Sequence, residues 1–497
     1  MADETCFAES CINLGTLGKI LMCRWTALIV ALVCATTAAA ETPWPLRTPA
    51  ELRALHGPGL AGMQILTYRR THEPTHPEAA PQIVIGIGRG IIYREEGQSR
   101  RVVDLRLGRI YQLQGKRYLN YPLAADIVFR DLELTNRVGL GKALAAAGIE
   151  EEKRAIIADP FWNSSDLKVT AENETPPAVE MRNEGAATVY VYKGVEAIRW
   201  EPMDKPLSPA VSGNLGRVLL WFFKGHPHLG TKLAAAGKAP RRLILRWQLA
   251  GNLHTEDYQL VSAKWCETCE ALPSDARPGL AIGGVFENEL APVMIAASQG
   301  KYKAPTSDEY LSRIEAALDR DAPMEAWLWY IERSLQDGIR KCQSDDATRY
   351  CRVQNRMFAQ ARTNSDIQTL TRNMGRASIE GSNTIAGLRN KVEANAYYID
   401  LASVNALPRS ALAFKSVNQE PLKSAERRMV SALTAMPSLP AIYRDLGNMY
   451  FAAVDTRRAW LAWEMGKANP GRSSEPNLWQ HVIGIEAEVR KRHPDFF

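Results

Sequence analysis

The first half of the chain carries short runs rich in apolar and β-branched residues, with polar residues and glycines between them. Such runs predict strands, and the glycines between them predict turns. Three runs lie close together between residues 101 and 121, with turns at Gly108 and Gly115, which predicts an antiparallel meander. The predicted strands are 62–69, 82–87, 101–105, 109–113, 116–121, 167–171, 188–192, 195–200, 218–223, 242–249 and 258–264.

One helix is predicted among these strands, at residues 122–147. Pro122 is tolerated in a first helical turn, apolar residues recur among alanines and charged residues, and Gly148 ends the segment. A helix among so many short strands indicates a mixed α+β domain dominated by antiparallel sheet. We assign residues 41–305 to this domain.

The pattern changes to a helical period near residues 304–307. Pro305 interrupts the chain, and Thr306 with Glu309 has the spacing of a capping box, so a helix is predicted to begin here. Apolar residues then recur every three or four positions, which predicts about nine helices before the C-terminus. Residues 306–497 are therefore assigned to an all-α domain.

Residues 425–470 combine large and small side chains at fixed intervals. The positions are Tyr443, Leu446, Gly447 and Tyr450 on one predicted helix, and Ala459 and Trp463 on the next. A preceding half-repeat is matched by Ala425, Met429, Ala432 and Pro437. This spacing resembles the tetratricopeptide repeat, with 440–470 as the best repeat. Two positions depart from the family pattern, because Gly466 stands where alanine is usual and Pro470 comes one residue early.

The resemblance implies a domain of stacked helical hairpins. In that family, large residues on the first helix receive the second helix, and small residues let the two backbones approach. The stack leaves a concave surface that holds a peptide or a partner protein. The alternative is a helical hairpin of another class, because any such hairpin places leucine, alanine and aromatic residues at similar intervals.

Residues 22–40 have the three-part layout of a secretory signal peptide. Arg24 supplies the basic start, an apolar run follows, and small residues end at Ala40. We expect cleavage after Ala40 and a periplasmic or secreted protein. No transmembrane span is expected to remain, because the apolar run is shorter than the ~20 residues that a membrane-spanning helix needs. Residues 1–21 lack targeting character, which indicates an over-extended start with Met22 as the initiator.

Four cysteines remain after the predicted cleavage, namely Cys266, Cys269, Cys342 and Cys351. An even number in an exported protein predicts two disulfides, and close spacing favours Cys266 with Cys269 and Cys342 with Cys351 among the three formal pairings. The C-x-x-C motif at 266–269 follows a strand-like run and does not open a helix. A structural disulfide is therefore favoured over a redox or metal site.

The chain carries no complete catalytic, cofactor or metal motif. The glycines in 86–90 precede a strand, whereas a dinucleotide-binding loop must open a helix, so they predict a turn or bulge. Lys and Arg number 61 against 55 Asp and Glu, and the resulting charge of +6 is scattered, which does not indicate nucleic acid. We predict no catalytic, cofactor-binding or metal-ligating residues, and an enzyme is the less favoured interpretation.

The strand meander between residues 102 and 113 also resembles the periplasmic half-barrel carriers of lipids and lipoproteins. Such folds curl a sheet around an apolar cavity. The resemblance implies that the N-terminal domain binds a lipid or another apolar ligand.

The sequence thus leaves three functions open. The first is a non-catalytic cell-envelope protein that binds a partner protein or peptide on its helical-repeat surface, in an assembly or scaffold role. The alternative is a periplasmic carrier of lipid or another apolar ligand through the N-terminal domain. The second alternative is a hydrolase without a recognisable motif. A cavity in the N-terminal domain favours the carrier, and acidic residues that meet a histidine in a cleft favour the hydrolase.

Overall fold

The structure, a computed structural model, describes residues 42–56, 62–73, 82–150, 178–223, 235, 237–249, 252–280, 284–343, 347–412, 420–471 and 473–497. The predicted signal peptide at 22–40 and the predicted strand at 167–171 lie outside these ranges. Residues 43–497 cluster as one compact unit.

Twelve strands in the described residues join into one sheet. They are β1 (Met63–Glu73), β2 (Gln82–Ile87), β3 (Ile91–Glu96), β4 (Ser99–Asp104), β5 (Arg109–Gln114), β6 (Arg117–Pro122), β7 (Glu180–Glu184), β8 (Ala187–Tyr192), β9 (Val195–Pro202), β10 (Pro240–Leu249), β11 (Asn252–Cys266) and β12 (Arg277–Pro278). Their order across the sheet is β12-β6-β5-β4-β3-β2-β1-β11-β10-β9-β8-β7. Neighbours are antiparallel except β12, which runs parallel to β6.

Two meanders meet at the centre of this sheet. Strands β1 to β6 follow chain order on one side, and β11 back to β7 follow it on the other. The joint is the pairing of β1 with β11, in which Met63 lies opposite Cys266 and Glu73 lies opposite Thr255. The end of β11 therefore lies beside the start of β1, which places the C-x-x-C motif next to the first strand.

The helices, in chain order, are α1 (Pro49–His56), α2 (Leu123–Ala146), α3 (Pro209–Ser212), α4 (Leu215–Phe222), α5 (Ala291–Ser298), α6 (Ser307–Asp319), α7 (Pro323–Asp337), α8 (Arg349–Thr363), α9 (Ser365–Met374), α10 (Ile379–Gly387), α11 (Tyr397–Asn405), α12 (Arg409–Leu412), α13 (Glu420–Ala435), α14 (Pro440–Ala452), α15 (Thr456–Lys467) and α16 (Gln480–Arg492). Short 3-10 turns lie at Trp44–Leu46, Arg389–Lys391 and Pro494–Phe496. Among the helices that the structure describes, none combines the length and the apolarity needed to cross a membrane.

Both faces of the β1–β6 part of the sheet are buried. Side chains alternate along each strand, so Ile65, Val102 and Tyr111 lie on one face while Leu66 and Val103 lie on the other. The first face forms a smaller core with α1 and the segment 266–276. The second face joins the main core, which continues into the helices. The protein therefore has three layers here, with the sheet in the middle.

The helices of the second half pack in chain order. From α6 to α15 each helix contacts the next, apart from the single-turn α12, which packs beside α13 and α14. Helix α15 then returns to the first half and packs on α2 and β6. The C-terminal residue also contacts the first half, because the guanidinium of Arg217 donates to the carbonyl oxygen of Phe497 at 2.7 Å.

The structure confirms the α+β class, with an antiparallel-dominated sheet in the first half and helices in the second. The predicted helix at 122–147 is α2, and α6 begins behind the predicted capping box, in which Thr306 and Glu309 cap reciprocally. The glycine run at 86–90 makes the turn from β2 to β3. The division into two domains at residue 305 stays a prediction about independent folding.

One predicted strand, at 218–223, is wrong. These residues belong to helix α4, Leu215–Phe222, which lies inside the main core. Its residues are apolar on almost every side because it is surrounded by other elements. A short apolar run of this kind has no period that separates a buried helix from a buried strand.

Candidate ligand-binding cavity

A cavity of about 340 Å³ lies on the face of the sheet that α1 covers. Its walls come from α1, from β1, β3 and β5, and from the segment that follows β11. Most of the lining is apolar. It includes the apolar side chains of Leu52, Met63, Ile91 and Leu272 beside the polar side chains of His56 and Tyr111. The cavity is therefore built by three parts of the chain that are distant in sequence.

A cap fixes the start of helix α1, and an ion pair ties the helix to the opposite wall of the cavity. Thr48 and Glu51 form reciprocal bonds at the helix start, with Thr48 N to Glu51 Oε2 at 2.7 Å and Glu51 N to Thr48 Oγ1 at 3.3 Å. Leu52 and His56 are four residues apart, so they lie on the same face of the helix and both line the cavity. At the rim, the Arg53 guanidinium donates to both carboxylate oxygens of Glu270.

The opposite wall is the loop that the first disulfide closes. The structure pairs Cys266 with Cys269 at disulfide distance, directly at the end of β11. The next residues are anchored to β4, because the Arg100 guanidinium donates to the carbonyl oxygens of Glu270 at 3.3 Å and Ala271 at 3.0 Å. The backbone of this wall is thus tied to the sheet at two points.

His56 and Asp104 form a buried pair in this cavity wall. His56 Nε2 lies 2.7 Å from Asp104 Oδ2, and the side chains are 7% and 0% exposed. Asp104 also accepts from the Tyr111 hydroxyl at 2.9 Å and from the backbone N–H of Leu107 at 3.0 Å. Three donors therefore converge on one carboxylate, which is what a buried negative charge requires.

The protonation of Tyr111 supports this assignment of donors. Burial raises the pKa of the Tyr111 hydroxyl, and the nearby Asp104 carboxylate raises that pKa further. Tyr111 therefore keeps its proton and donates it to Asp104. We assign the hydrogen atom between His56 and Asp104 to His56 Nε2, because Asp104 accepts from the other two donors that reach it.

Nδ1, the second ring nitrogen of His56, takes no part in this hydrogen-bond network. Nδ1 is buried and has no hydrogen-bond partner among the described residues. A histidine whose one nitrogen is held by a carboxylate has a fixed ring orientation. Within the described ranges, no three His, Cys, Asp or Glu side chains are grouped so as to hold a metal ion.

Comparison with protein families, with curated proteins and with solved structures finds no match to this chain. The geometry of the site is therefore the basis for any statement about function.

The four cysteines that the sequence singled out lie where the predicted pairing requires. Cys342 and Cys351 are also at disulfide distance, and Cys351 lies in the first turn of α8. Both pairs fit the predicted disulfides. Cys269 in addition lines the cavity, a position that the sequence did not predict.

The six predicted repeat-packing residues, Tyr443, Leu446, Gly447, Tyr450, Ala459 and Trp463, are all buried in the α14–α15 hairpin. The helices touch where Gly447 meets Trp463, whose indole N–H donates to the carbonyl of Arg444 at 3.2 Å. A Cβ atom on Gly447 would lie 2.2 Å from Trp463 Nε1. That the hairpin is of the tetratricopeptide class stays a prediction.

Gly466, which stands where the repeat family usually has alanine, is closely surrounded in the structure. A Cβ atom at this position would lie 2.5 Å from Tyr443 Cβ and 2.6 Å from the ring of Trp479. Alanine is therefore too large here, because the segment after α15 places an aromatic ring on this face of the helix.

His56, Asp104 and Tyr111 are the site residues that the sequence did not indicate. None of the three stands in a known motif. One local signal was present, because Asp104 and Tyr111 lie on neighbouring strands of the predicted meander. The histidine comes from a helix before the sheet, so nothing in the linear pattern links it to them.

Proposed function

We propose that this protein binds a small, largely apolar molecule in the cavity between α1, the sheet and the disulfide loop. This is the carrier function that the sequence left as an alternative. The observation that carries the proposal is an apolar cavity with one buried histidine that a carboxylate holds in place. Cavities of about 300–1,000 Å³ with apolar walls and a few fixed polar groups are typical small-molecule sites, and about 340 Å³ lies at the small end of that range.

The composition of the walls favours an apolar ligand. Leu52, Met63 and Leu272 offer apolar surface from three different elements. Burial of apolar surface contributes about 25 cal/mol per Å², so a medium-length alkyl chain gains several kcal/mol by entering. The charged rim residues Arg53 and Glu270 already bond to each other and leave the interior apolar.

The test is calorimetric titration of the full chain with C10 alkyl compounds. Decanol, decanoic acid and methyl decanoate share the apolar body and differ in the head group. We expect one of them or more to bind at one site, and Ala271→Phe, which fills the cavity from its wall, to weaken binding at least about tenfold. The matched control is Ala263→Phe on the exposed part of β11, which leaves binding unchanged.

Absence of binding by all three compounds to the folded wild-type chain contradicts the proposal. The same titration addresses the hydrolase alternative, because mass spectrometry of the recovered methyl decanoate reports any cleavage. Turnover that is lost on changing His56 would show that the cavity is an active site.

The helical half supports a second candidate, the binding of a partner protein. Its helices pack in chain order, which is the arrangement that gives repeat proteins an extended binding surface. Because α15 is anchored on the first half, the test uses the intact chain in native extract with cross-linking mass spectrometry. Cross-links to a partner that fall on α6 to α13 are expected, and cross-links confined to the sheet contradict it.

We propose further that the protein works in the cell envelope or outside the cell. Two cysteine pairs at disulfide distance are compatible with an oxidising compartment. N-terminal sequencing of the protein from its native host checks this, with Glu41 expected as the first residue. An intact N-terminus at Met22 contradicts export by this signal.

A further inference from the structure

The cavity opens to solvent between helix α1 and the wall formed by residues 267–272, here called the loop wall. The exposed residues of its lining are Arg53 on α1 and, in the loop wall, Glu267, Thr268 and Glu270. The other lining residues are buried or partly buried. A molecule that enters from solvent therefore passes between α1 and the loop wall.

One ion pair crosses this entrance. The Arg53 guanidinium donates from Nη1 to both carboxylate oxygens of Glu270, at 2.7 Å and 2.9 Å. The two side chains are 47% and 45% exposed, so the pair lies on the solvent side of the cavity. Because one partner belongs to α1 and the other to the loop wall, the pair joins the two sides of the entrance.

The ion pair can open while the backbone around it stays in place. The start of α1 is fixed by the reciprocal cap of Thr48 and Glu51. In the loop wall, the carbonyl oxygen of Glu270 accepts from the Arg100 guanidinium at 3.3 Å. The side chains of Arg53 and Glu270 are exposed, by contrast, and exposed side chains change rotamer within picoseconds to nanoseconds. Rotation of these two side chains is therefore enough to widen the entrance.

Provided that the cavity binds a ligand as proposed above, we infer that the Arg53–Glu270 pair is a latch, which opens to admit the ligand and closes again over it. An exposed ion pair is weak, so the latch opens often. Removing the pair raises the open fraction both with and without a bound ligand. Entry and exit are then accelerated by the same factor. The latch thus controls how fast the ligand exchanges, and the cavity walls control how tightly it binds.

The experiment measures exchange rates in the full wild-type chain and in Arg53→Gln, which removes the charge of the latch. The probe is the compound that binds the wild type most tightly among decanol, decanoic acid and methyl decanoate. Line-shape analysis of the Met63 methyl resonance during titration gives the dissociation rate, and calorimetry gives Kd. The dissociation and association rates are both expected to rise about twofold to fivefold in the variant.

A second variant breaks the latch from its other side. Glu270→Gln removes the carboxylate and keeps Arg53, and it is expected to accelerate both rates by a similar factor. Arg349→Gln is the matched control, because Arg349 pairs with Glu315 between α6 and α8 at a comparable exposure, 41% and 35%. Its exchange rates are expected to equal those of the wild type.

The salt dependence of the rates tests whether the latch is electrostatic. Screening at about 1 M NaCl weakens an exposed ion pair, so the wild type loses its latch, whereas Arg53→Gln has none to lose. The ratio of the two dissociation rates is expected to fall toward one as NaCl rises from about 0.05 M to about 1 M. A ratio above one that does not change with salt overturns the inference.

The outcomes keep the latch apart from the cavity proposal. If the probe binds the wild type and both variants exchange it at the wild-type rate, the latch inference fails and the cavity proposal stands. A dissociation rate that rises in Arg53→Gln alone shows that Arg53 holds the ligand by direct contact, and this result also overturns the latch. If none of the three compounds binds the folded wild type, the cavity proposal fails, and the latch fails with it.

Discussion

Arg109 on β5 and Glu464 on α15 form a buried ion pair although 355 residues separate them in the chain. Arg109 Nη2 donates to Glu464 Oε2 at 2.9 Å, and Nη1 donates to the other carboxylate oxygen. Two further guanidinium N–H groups reach Asn120, with Nε to Oδ1 at 2.8 Å and Nη2 to the backbone carbonyl at 3.1 Å. The helical half is thus bonded to the sheet through this arginine.

The first prediction follows from this pair. Glu464→Ala leaves the buried guanidinium without its counter-charge, and such a loss costs roughly 3–5 kcal/mol of unfolding free energy. Urea unfolding followed by circular dichroism measures it. Replacing both partners, as in Arg109→Met with Glu464→Leu, is expected to cost less than Glu464→Ala alone. Equal losses in the single and the double variant would contradict the prediction, because they would show that the unpaired guanidinium is not the source of the loss.

The second prediction concerns the contact between α14 and α15. Gly447→Ala places a methyl group 2.2 Å from Trp463 Nε1, so one helix must shift or the indole must turn. Overpacking of this kind costs about 1–3 kcal/mol. The measurement is again urea unfolding.

The matched control for this substitution is Gly484→Ala on α16. A Cβ atom there meets nothing within 4 Å, and alanine is favoured over glycine in a helix by about 1 kcal/mol. Gly484→Ala is therefore expected to be neutral or stabilising. A neutral Gly447→Ala would show that the two helices do not touch as described.

The third prediction concerns Glu332, which is buried on α7. Its Oε1 accepts from the Tyr310 hydroxyl at 2.5 Å. Burial raises the pKa of this carboxyl, and the hydrogen bonds from Tyr310 and its neighbours only partly offset the rise. The folded state therefore holds this proton to a higher pH than the unfolded chain does.

The raised pKa of Glu332 makes the unfolding free energy depend on pH. Above the unfolded pKa, near pH 4.3, the folded state binds more protons than the unfolded state, so this group lowers stability as pH rises. Glu332→Gln is expected to be more stable than the wild type at pH 7, and the difference is expected to vanish toward pH 4. Unfolding free energies of both proteins across this range check it. The exposed Glu289→Gln serves as control, and a pH-independent difference for Glu332→Gln contradicts the prediction.

The fourth prediction separates the two disulfides by their positions. Replacing Cys266 and Cys269 by serine opens a very short loop, so the loss of unfolding free energy is about 2 kcal/mol. Affinity for a C10 ligand is expected to fall as well, because the cavity wall loses its closure. Replacing Cys342 and Cys351 by serine is the control, with a similar loss of stability and unchanged affinity. Equal affinities of both variants would place the ligand elsewhere.

Local patterns in the sequence predicted most of the fold. The apolar and β-branched runs at 82–87 and 109–113 indicated β2 and β5, and Thr306 with Glu309 indicated the start of α6, because each signal depends on neighbouring residues. The segment 218–223 was predicted wrongly, because all six of its residues are apolar and buried and leave no polar position from which the helical period can be recognised.

Local sequence patterns could not predict the cavity, because the register of the strand pairings creates it. Met63 is brought beside Cys266 by the β1–β11 pairing, and Ile91 beside Asp104 by the β3–β4 pairing. His56 then enters from a helix that precedes the sheet. Contacts between residues this far apart in the chain depend on the whole sheet having formed, and no local spacing in the sequence predicts them.

The measurement that tests the central claim most directly is methyl NMR of the full chain labelled at its methionine methyl groups. Met63 lines the cavity and is 1% exposed, whereas Met181 on β7 is 61% exposed and lies outside it. On titration with the compound that binds most tightly among decanol, decanoic acid and methyl decanoate, the Met63 resonance is expected to shift to saturation while that of Met181 stays in place. A Met63 resonance that moves with none of the three compounds, in a folded protein, would contradict ligand binding in this cavity.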